Sequence, residues 1–347
     1  MFRSKSNELV ELHGFLKVIG AILALLVSGV FLFNVLLAQD LYPFDYQAAR
    51  YLDDVIDGKL PQDRPNEVVI IGDSTASRAL LPRHIEEFNA VSLAINGGNL
   101  RDSYYALKRY LQSQPSPRCI AIMTSYGAYQ FHNANRFWAF TVAAGFLSFS
   151  DLMDLYKTSR QENIFPASEM SLPLYLYEIV SHRLGLYLGW DLLHNYIAKP
   201  YMTRTHPAQS YRTLMRERGA LPLQSAAPWV SQEFVIKNFS YLNRPFVIIP
   251  SQDFHLKKIF KLAKDHGASV RIFYPPISKS LRSVATEEWT SRVRQHMHHL
   301  SSLEDHVEFE NTIHWIDDLH FLDGTHLNES AGISYTHTIL PFLENCD

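Results

Sequence analysis

The run Val68-Val69-Ile70-Ile71-Gly72-Asp73-Ser74 decides the fold. Four consecutive β-branched apolar residues read as a strand buried on both faces, and Gly-Asp-Ser ends it in a loop. A polar stretch from Leu60 to Asn66 precedes it, and Thr75 to Leu80 can open a helix after it. Moving outward, similar strand runs recur at Val91-Ser-Leu-Ala-Ile95, Cys119 to Thr124, Val270-Arg-Ile-Phe-Tyr274 and Val307-Glu-Phe309. Helical patterns lie between or after them, notably at Ser103 to Leu111, Phe254 to His266, Glu287 to Leu300 and Glu329 to Phe342. Strands alternating with helices predict an α/β fold of three layers, a parallel sheet with helices on both faces. Ligands of such sheets gather at the carboxyl ends of the strands, so chemistry is expected in the loops that follow them.

The alternation breaks at about 126–244, a stretch rich in Phe, Tyr, Leu and His that reads as a helical insertion. Phe137 to Phe149 is apolar but too short to span a bilayer, and Leu172 to Ala198 contains Pro173, Glu178, Arg183 and Asp191. Helices packed on the sheet are the simpler expectation for both, and contact with a membrane or a membrane partner is the alternative. No internal repeat or low-complexity tract is present.

At the other end, Val18 to Ala38 gives 21 residues without a charged side chain. As a helix it would be about 32 Å long, enough for a hydrocarbon core of about 30 Å. Arg3, Lys5 and Lys17 precede it, and Asp40, Asp45, Asp53 and Asp54 follow. The basic flank should stay in the cytoplasm, which places everything after Ala38 outside. The expected organisation is a cytoplasmic N-terminus (1–17), a single membrane anchor in contact with lipid (18–38), a linker (39–66) and an α/β domain (67–347). A cleaved signal peptide competes with this reading because Leu36-Leu37-Ala38 resembles a cleavage site, although the run exceeds the usual apolar region of about 7–15 residues. The 347 residues suffice for a large core, and a net charge of −3 from 32 basic and 35 acidic residues gives no sign of a nucleic-acid partner.

Chemistry centres on Ser74, at the end of the first strand. Its hydroxyl would stand above the sheet, and its backbone N–H would lie at a helix start, suited to a developing oxyanion. Gly-Asp-Ser is also a common turn, and the tail is what changes its weight: Asp323-Gly-Thr-His326-Leu-Asn-Glu runs from a loop into the last helix. Three-residue spacing lets Asp323 accept from one imidazole nitrogen while the other points toward a serine elsewhere. Asp317-x-x-His320 has the same spacing, but no helix start follows it, so His326 is the expected base. The second strand ends in Asn96-Gly97-Gly98-Asn99, where Gly97, Gly98 and Asn99 are expected at the oxyanion or substrate side. No cofactor is implied. His296, His298 and His299 lack companion ligands and read as a solvated face, while Asp317, Asp318, His320, Asp323 and His326 admit a divalent-ion reading as the lesser alternative. Cys119 and Cys346 allow one disulfide, or Cys119 is simply a buried small side chain.

These blocks resemble the SGNH, or GDSL-type, hydrolase superfamily: Gly72-Asp73-Ser74 matches its first block, the glycine of Gly97-Gly98 its second, and Asp323-x-x-His326 its last. The resemblance covers roughly Glu67 to Phe342 without the insertion and implies a flavodoxin-like sheet. The third block departs, with Ser125-Tyr126-Gly127 where the family carries Gly-x-Asn, so Asn99 or a residue of the insertion is left to supply that donor. With the anchor, the chain is similar to exported branches that resemble alginate O-acetylation and teichoic acid D-alanyl transfer proteins. That resemblance implies transfer of an acetyl or similar acyl group to or from a cell-envelope polymer through a Ser-His-Asp acyl-enzyme, with a polytopic membrane acyltransferase as partner. A carboxylesterase acting outside the cytoplasm and a non-catalytic binding module are the alternatives.

The anchor reading has a direct check. An alkaline phosphatase fused after Asp347 is expected to be active, and a reporter that works only in the cytoplasm is expected to be silent there; the reverse pattern overturns the topology.

Overall fold

The computed structural model describes residues 15–26, 28–29, 44–60, 64–85, 87–131, 137–143, 145–187, 207–222, 233, 236–237 and 239–346. Five parallel strands form the central sheet: β1 (Val68–Gly72), β2 (Ala90–Ser92), β3 (Cys119–Met123), β4 (Ser269–Phe273) and β6 (Val307–Phe309), in the order β2-β1-β3-β4-β6. Four of the five lie on the strand runs of the sequence to within a residue, while β2 starts one residue before its run and ends at Ser92, short of Ile95. A small parallel pair, β5 (Ile277–Ser278) and β7 (Trp315–Ile316), lies outside this sheet, and each strand is too short to leave a periodic signal.

Side chains of β1 alternate between two apolar cores. Val69 and Ile71 face one, shared with Ile120, Ile122, Val270 and Ile272, while Val68 and Ile70 face the other, shared with Ala121 and Met123. The larger core is closed by α1 (Phe44–Ile56), α3 (Leu100–Ser113), α8 (Pro250–Asp265) and α9 (Glu287–Ser301). The smaller is closed by α2 (Ser74–Ala79) and α10 (Glu329–Glu344). Helices therefore cover both faces of a fully buried parallel sheet, the condition under which continuous Val/Ile runs are stable. Cys119, at the start of β3, and Cys346, just past α10, are joined as a disulfide.

Residues 126–244 contribute α4 (Tyr126–Gln130), α5 (Phe149–Gln161), α6 (Leu172–Tyr187) and α7 (Pro207–Arg216). They add Tyr129, Phe146, Leu152, Tyr175 and Leu214 to the larger core, so the inner faces of these helices are ordinary core. The outer face of α6 is different, because Leu174, Tyr177 and Val180 are exposed at helical spacing. Residues 15–26 are helical and expose their apolar side chains, Leu25 to 73% and Leu26 to 60%. Residues 27 and 30–38 of the expected anchor lie outside the described residues, and no helix among the described residues is long and apolar enough to cross a membrane.

Gly72 is where β1 turns into the site. Its φ is +147°, and a Cβ added there would lie 1.7 Å from the carbonyl oxygen of Met123. Gly267 also has positive φ, +68°, but meets nothing within 4 Å. Gly72→Ala is therefore expected to cost roughly 3 kcal/mol or more, from strain plus a backbone clash, whereas Gly267→Ala costs about 1 kcal/mol from strain alone. Paired denaturant melts check this, and equal losses would remove the close approach as the cause.

Candidate active site

The position of Ser74 is built by Asp73. It caps α2, with Oδ1 accepting from the Thr75 backbone N–H at 2.9 Å and from the Thr75 hydroxyl at 2.6 Å. Its Oδ2 accepts from the Ser125 backbone N–H at 2.9 Å, which ties the loop after β1 to the loop after β3. Ser74 follows as the first residue of α2, half-buried above the sheet.

The second half arrives from the far end of the chain. Residues 321–327 form a small closed loop: Phe321 and Leu327 make an antiparallel bridge, and the Leu322 N–H donates to the His326 carbonyl at 2.9 Å. Inside it, Asp323 Oδ1 accepts from the backbone N–H of Thr325 and of His326, and Oδ2 lies 2.5 Å from His326 Nδ1. Asn328 caps α10 by accepting from the Ala331 N–H, and its own N–H donates to the His320 carbonyl. The loop thus has a fixed exit. His326 Nε2 then stands 2.7 Å from Ser74 Oγ across 252 residues of chain. Burial works against the Asp323 charge, but the His326 hydrogen bond and charge and the two backbone donors outweigh it, so the carboxyl lies below its ordinary range. It is a carboxylate at neutral pH, so Nδ1–H is the group that can donate to it, and Nε2 is then the nitrogen that can accept from the Ser74 hydroxyl.

The decoy pair stays apart. Asp317 caps a short 3₁₀ turn through the Leu319 N–H, and His320 is exposed with no hydrogen bond from its ring among the described residues. Among the described residues no group of three His, Cys, Asp or Glu side chains is placed to hold a metal ion.

The second block divides differently from the expectation. The Gly98 N–H donates to the Ile95 carbonyl at 2.8 Å, closing a turn, and is not available as an oxyanion donor. Asn99 caps α3, its Oδ1 accepting from the N–H groups of Arg101 and Asp102, so its side chain is committed to the helix start. The N–H groups of Gly97 and Ser74 remain without a partner among the described residues. In the departed third block, Gly127 faces the insertion: a Cβ there would lie 3.6 Å from the hydroxyl of Tyr241. Burial, with the Asp73 charge nearby, pushes the Tyr241 phenol up, so it stays a protonated donor.

Three site residues carry no signal that sequence reasoning could use. Asn96 Oδ1 lies 3.2 Å from Ser77 Oγ, which is also 3.1 Å from the Ser74 carbonyl, one turn along α2. Tyr241 comes from the insertion, where spacing says nothing about contacts. Arg78 sits one turn after Ser74; burial holds its guanidinium below the usual range, while the charges of Asp323 and Asp73 pull it upward. A separate cleft of about 1200 Å³ runs along α9, lined by Arg282, Arg294, His298, His299 and Trp315 among others, and contains none of the Ser74, Asp323 and His326 set.

No family model matches this chain, and no curated protein matches it. Among solved structures it is similar to one from Streptococcus pneumonia, provisionally described as a platelet activating factor, at 11% identity over 91% of this chain and 98% of that chain, with a TM-score of 0.40.

The geometry separates the two histidines. His326→Ala is expected to match the defect of Ser74→Ala, and the double variant to be hardly worse than either alone, because members of such a set act as a unit. His320→Ala should stay within a few-fold of the parent. Turnover of a chromogenic acetyl ester by the parent and the four variants checks this, and a dead His320→Ala with an active His326→Ala would overturn the assignment.

Proposed function

We propose that this protein is a Ser-His-Asp acyl-transfer enzyme of SGNH type that moves an acetyl or similar acyl group to or from a cell-envelope polymer. The observation that carries the reading is the continuous chain from Ser74 Oγ to His326 Nε2 at 2.7 Å and from His326 Nδ1 to Asp323 Oδ2 at 2.5 Å. Its parts perform known roles. His326 takes the Ser74 proton as Oγ bonds to the acyl carbon, and gives that proton to the departing alcohol. The acceptor hydroxyl then loses its proton to His326 as it attacks the acyl-enzyme, and Ser74 recovers the proton as it leaves. Negative charge on the carbonyl oxygen in each step is met by the N–H groups of Ser74 and Gly97, with the Tyr241 hydroxyl as third donor.

Location is supported by two features. The disulfide between Cys119 and Cys346 fits an oxidising compartment, and the exposed apolar side chains of residues 15–26 fit a helix that continues into lipid. Protein and polymer would then meet outside the membrane, with a polytopic acyltransferase as the source of acyl groups. Hydrolysis is the second reading, and solvent access favours it: the His326 and Asp323 side chains are 18% and 29% exposed, so water reaches the same acyl-enzyme. The two readings share the first step and differ only in which hydroxyl completes the second.

That first step is testable without knowing the polymer. A fluorophosphonate probe is expected to label the parent at Ser74 and to leave Ser74→Ala unlabelled. Ester turnover should fall by roughly 10³-fold or more in that variant, with its circular dichroism unchanged. Labelling or turnover that survives Ser74→Ala would end the serine mechanism and leave a binding module on this fold.

A further inference from the structure

Four arginines among the described residues have a buried Nε with no hydrogen-bond partner: Arg78, Arg118, Arg183 and Arg218. Three of them nonetheless have an ionic or hydrogen-bonded partner. Arg118 lies 3.9 Å from the Glu67 carboxylate, Arg183 donates to the Leu147 carbonyl, and Arg218 donates to the Asn66 side chain. Arg78 makes no hydrogen bond and no ion pair through any of its nitrogens among the described residues. Arg78 is half-buried and of its nitrogens only Nε is shut away from water, so a buried donor is left without an acceptor while the end of the charged fork stays open to a ligand. A structural arginine would be expected to look like the other three.

Its position says what could supply the acceptor. Arg78 follows Ser74 by four residues on α2, so the two side chains leave the same face of the helix one turn apart. The carboxylates whose charges it feels are Asp323 and Asp73. Both are already committed, Asp323 to His326 and two backbone N–H groups, and Asp73 to Thr75 and Ser125. Neither hydrogen-bonds Arg78; they lower the cost of a cation there and leave its planar fork unfilled. A carboxylate or phosphate is the group whose two oxygens match that fork.

We propose that Arg78 is the anion-recognition residue of this site, binding a carboxylate or phosphate that the substrate carries beside the ester attacked by Ser74. The inference rests on the acyl-transfer reading for the word substrate, but not for the anion. It gives the site selectivity for acylated acidic polymers over acylated neutral ones.

The test uses the full-length protein, Arg78→Gln and Arg78→Lys, with three acetyl esters: acetylated galacturonate oligomers, acetylated glycerol 3-phosphate and acetylated xylo-oligomers. The parent is expected to prefer one of the two anionic esters over the neutral one. In Arg78→Gln that preference in kcat/KM should fall roughly 10- to 100-fold through KM, with Arg78→Lys in between because it keeps the charge and loses the fork. Which anionic ester is affected tells carboxylate from phosphate. An equal loss on all three esters through kcat would overturn the proposal, because Arg78 would then be a positioning residue for Asp323. Binding without turnover separates the two layers. Calorimetric titration of deacetylated galacturonate oligomer and of glycerol 3-phosphate into Ser74→Ala should show one anion bound, and bound at least tenfold more weakly once Arg78→Gln is added. Absence of binding by both anions, or binding indifferent to Arg78, overturns the anion site. Arg78-dependent binding in a parent that turns over no ester would leave the anion site standing and refute the enzyme reading instead.

Discussion

The site depends on how closely the backbone of β1 passes that of β3 at Gly72. No side chain fits between that Cα and the Met123 carbonyl. The contact fixes where the chain leaves the sheet, and Asp73 converts it into a fixed direction. One of its carboxylate oxygens caps α2, while the other holds the N–H of Ser125 at the end of the neighbouring strand. Two loops that would move separately become one rigid edge. Ser74 is the first residue beyond that edge, so its hydroxyl inherits the precision of the sheet, which is the support a reacting group requires.

His326 reaches the serine from a different kind of scaffold, a seven-residue loop between a short antiparallel bridge and a helix cap. Loops are poor at holding a group within a few tenths of an ångström unless their backbone groups are bound internally. Here the Asp323 carboxylate does that work as well as its electrostatic one, since the oxygen that does not face the imidazole accepts the N–H groups of Thr325 and His326. Orientation of the base and closure of the loop therefore rest on one side chain. Removing the carboxylate would disturb both at once, and its loss could not be read as purely electrostatic.

Much of the fold was legible from the chain, for a plain reason. A parallel strand buried on both faces must be apolar without interruption, and Val68–Ile71, Cys119–Met123 and Val270–Phe273 say so apart from Arg271, whose guanidinium reaches the carbonyls of Phe342 and Asn345 at the end of α10. The pairing of Asp323 with His326 was legible because three-residue spacing followed by a cap leaves few other conformations. What spacing could not convey was the allocation of backbone donors. Gly97, Gly98 and Asn99 look alike as turn residues, yet the Gly98 N–H is used within the turn and Asn99 is used by the helix, so of the three only Gly97 keeps an N–H without a partner among the described residues. Arg78 and Tyr241 were invisible for a related reason: an arginine late in a short helix reads as a solvated side chain until burial is known, and a tyrosine in an insertion has no register.

The last helix joins these separate devices into one. At its start, α10 continues the His326 loop; along its length, Gly332 lies against the Arg78 carbonyl so closely that an added Cβ would sit 2.5 Å from that oxygen. One turn on, the Thr336 hydroxyl accepts from the Leu81 N–H and lies 2.9 Å from the Ala79 carbonyl, satisfying groups that the end of α2 leaves exposed. Beyond its far end, Cys346 is bonded to Cys119 at the base of β3, closing a loop of 227 residues, a constraint worth a few kcal/mol against the unfolded chain. So the helix that follows the His326 loop is docked on the helix that begins with Ser74, and its other end is fastened to the strand whose tip receives Asp73. Each of these contacts constrains the 2.7 Å separation between Ser74 and His326 from a different side. A frame tied at three points holds that separation more firmly than any one of these contacts alone.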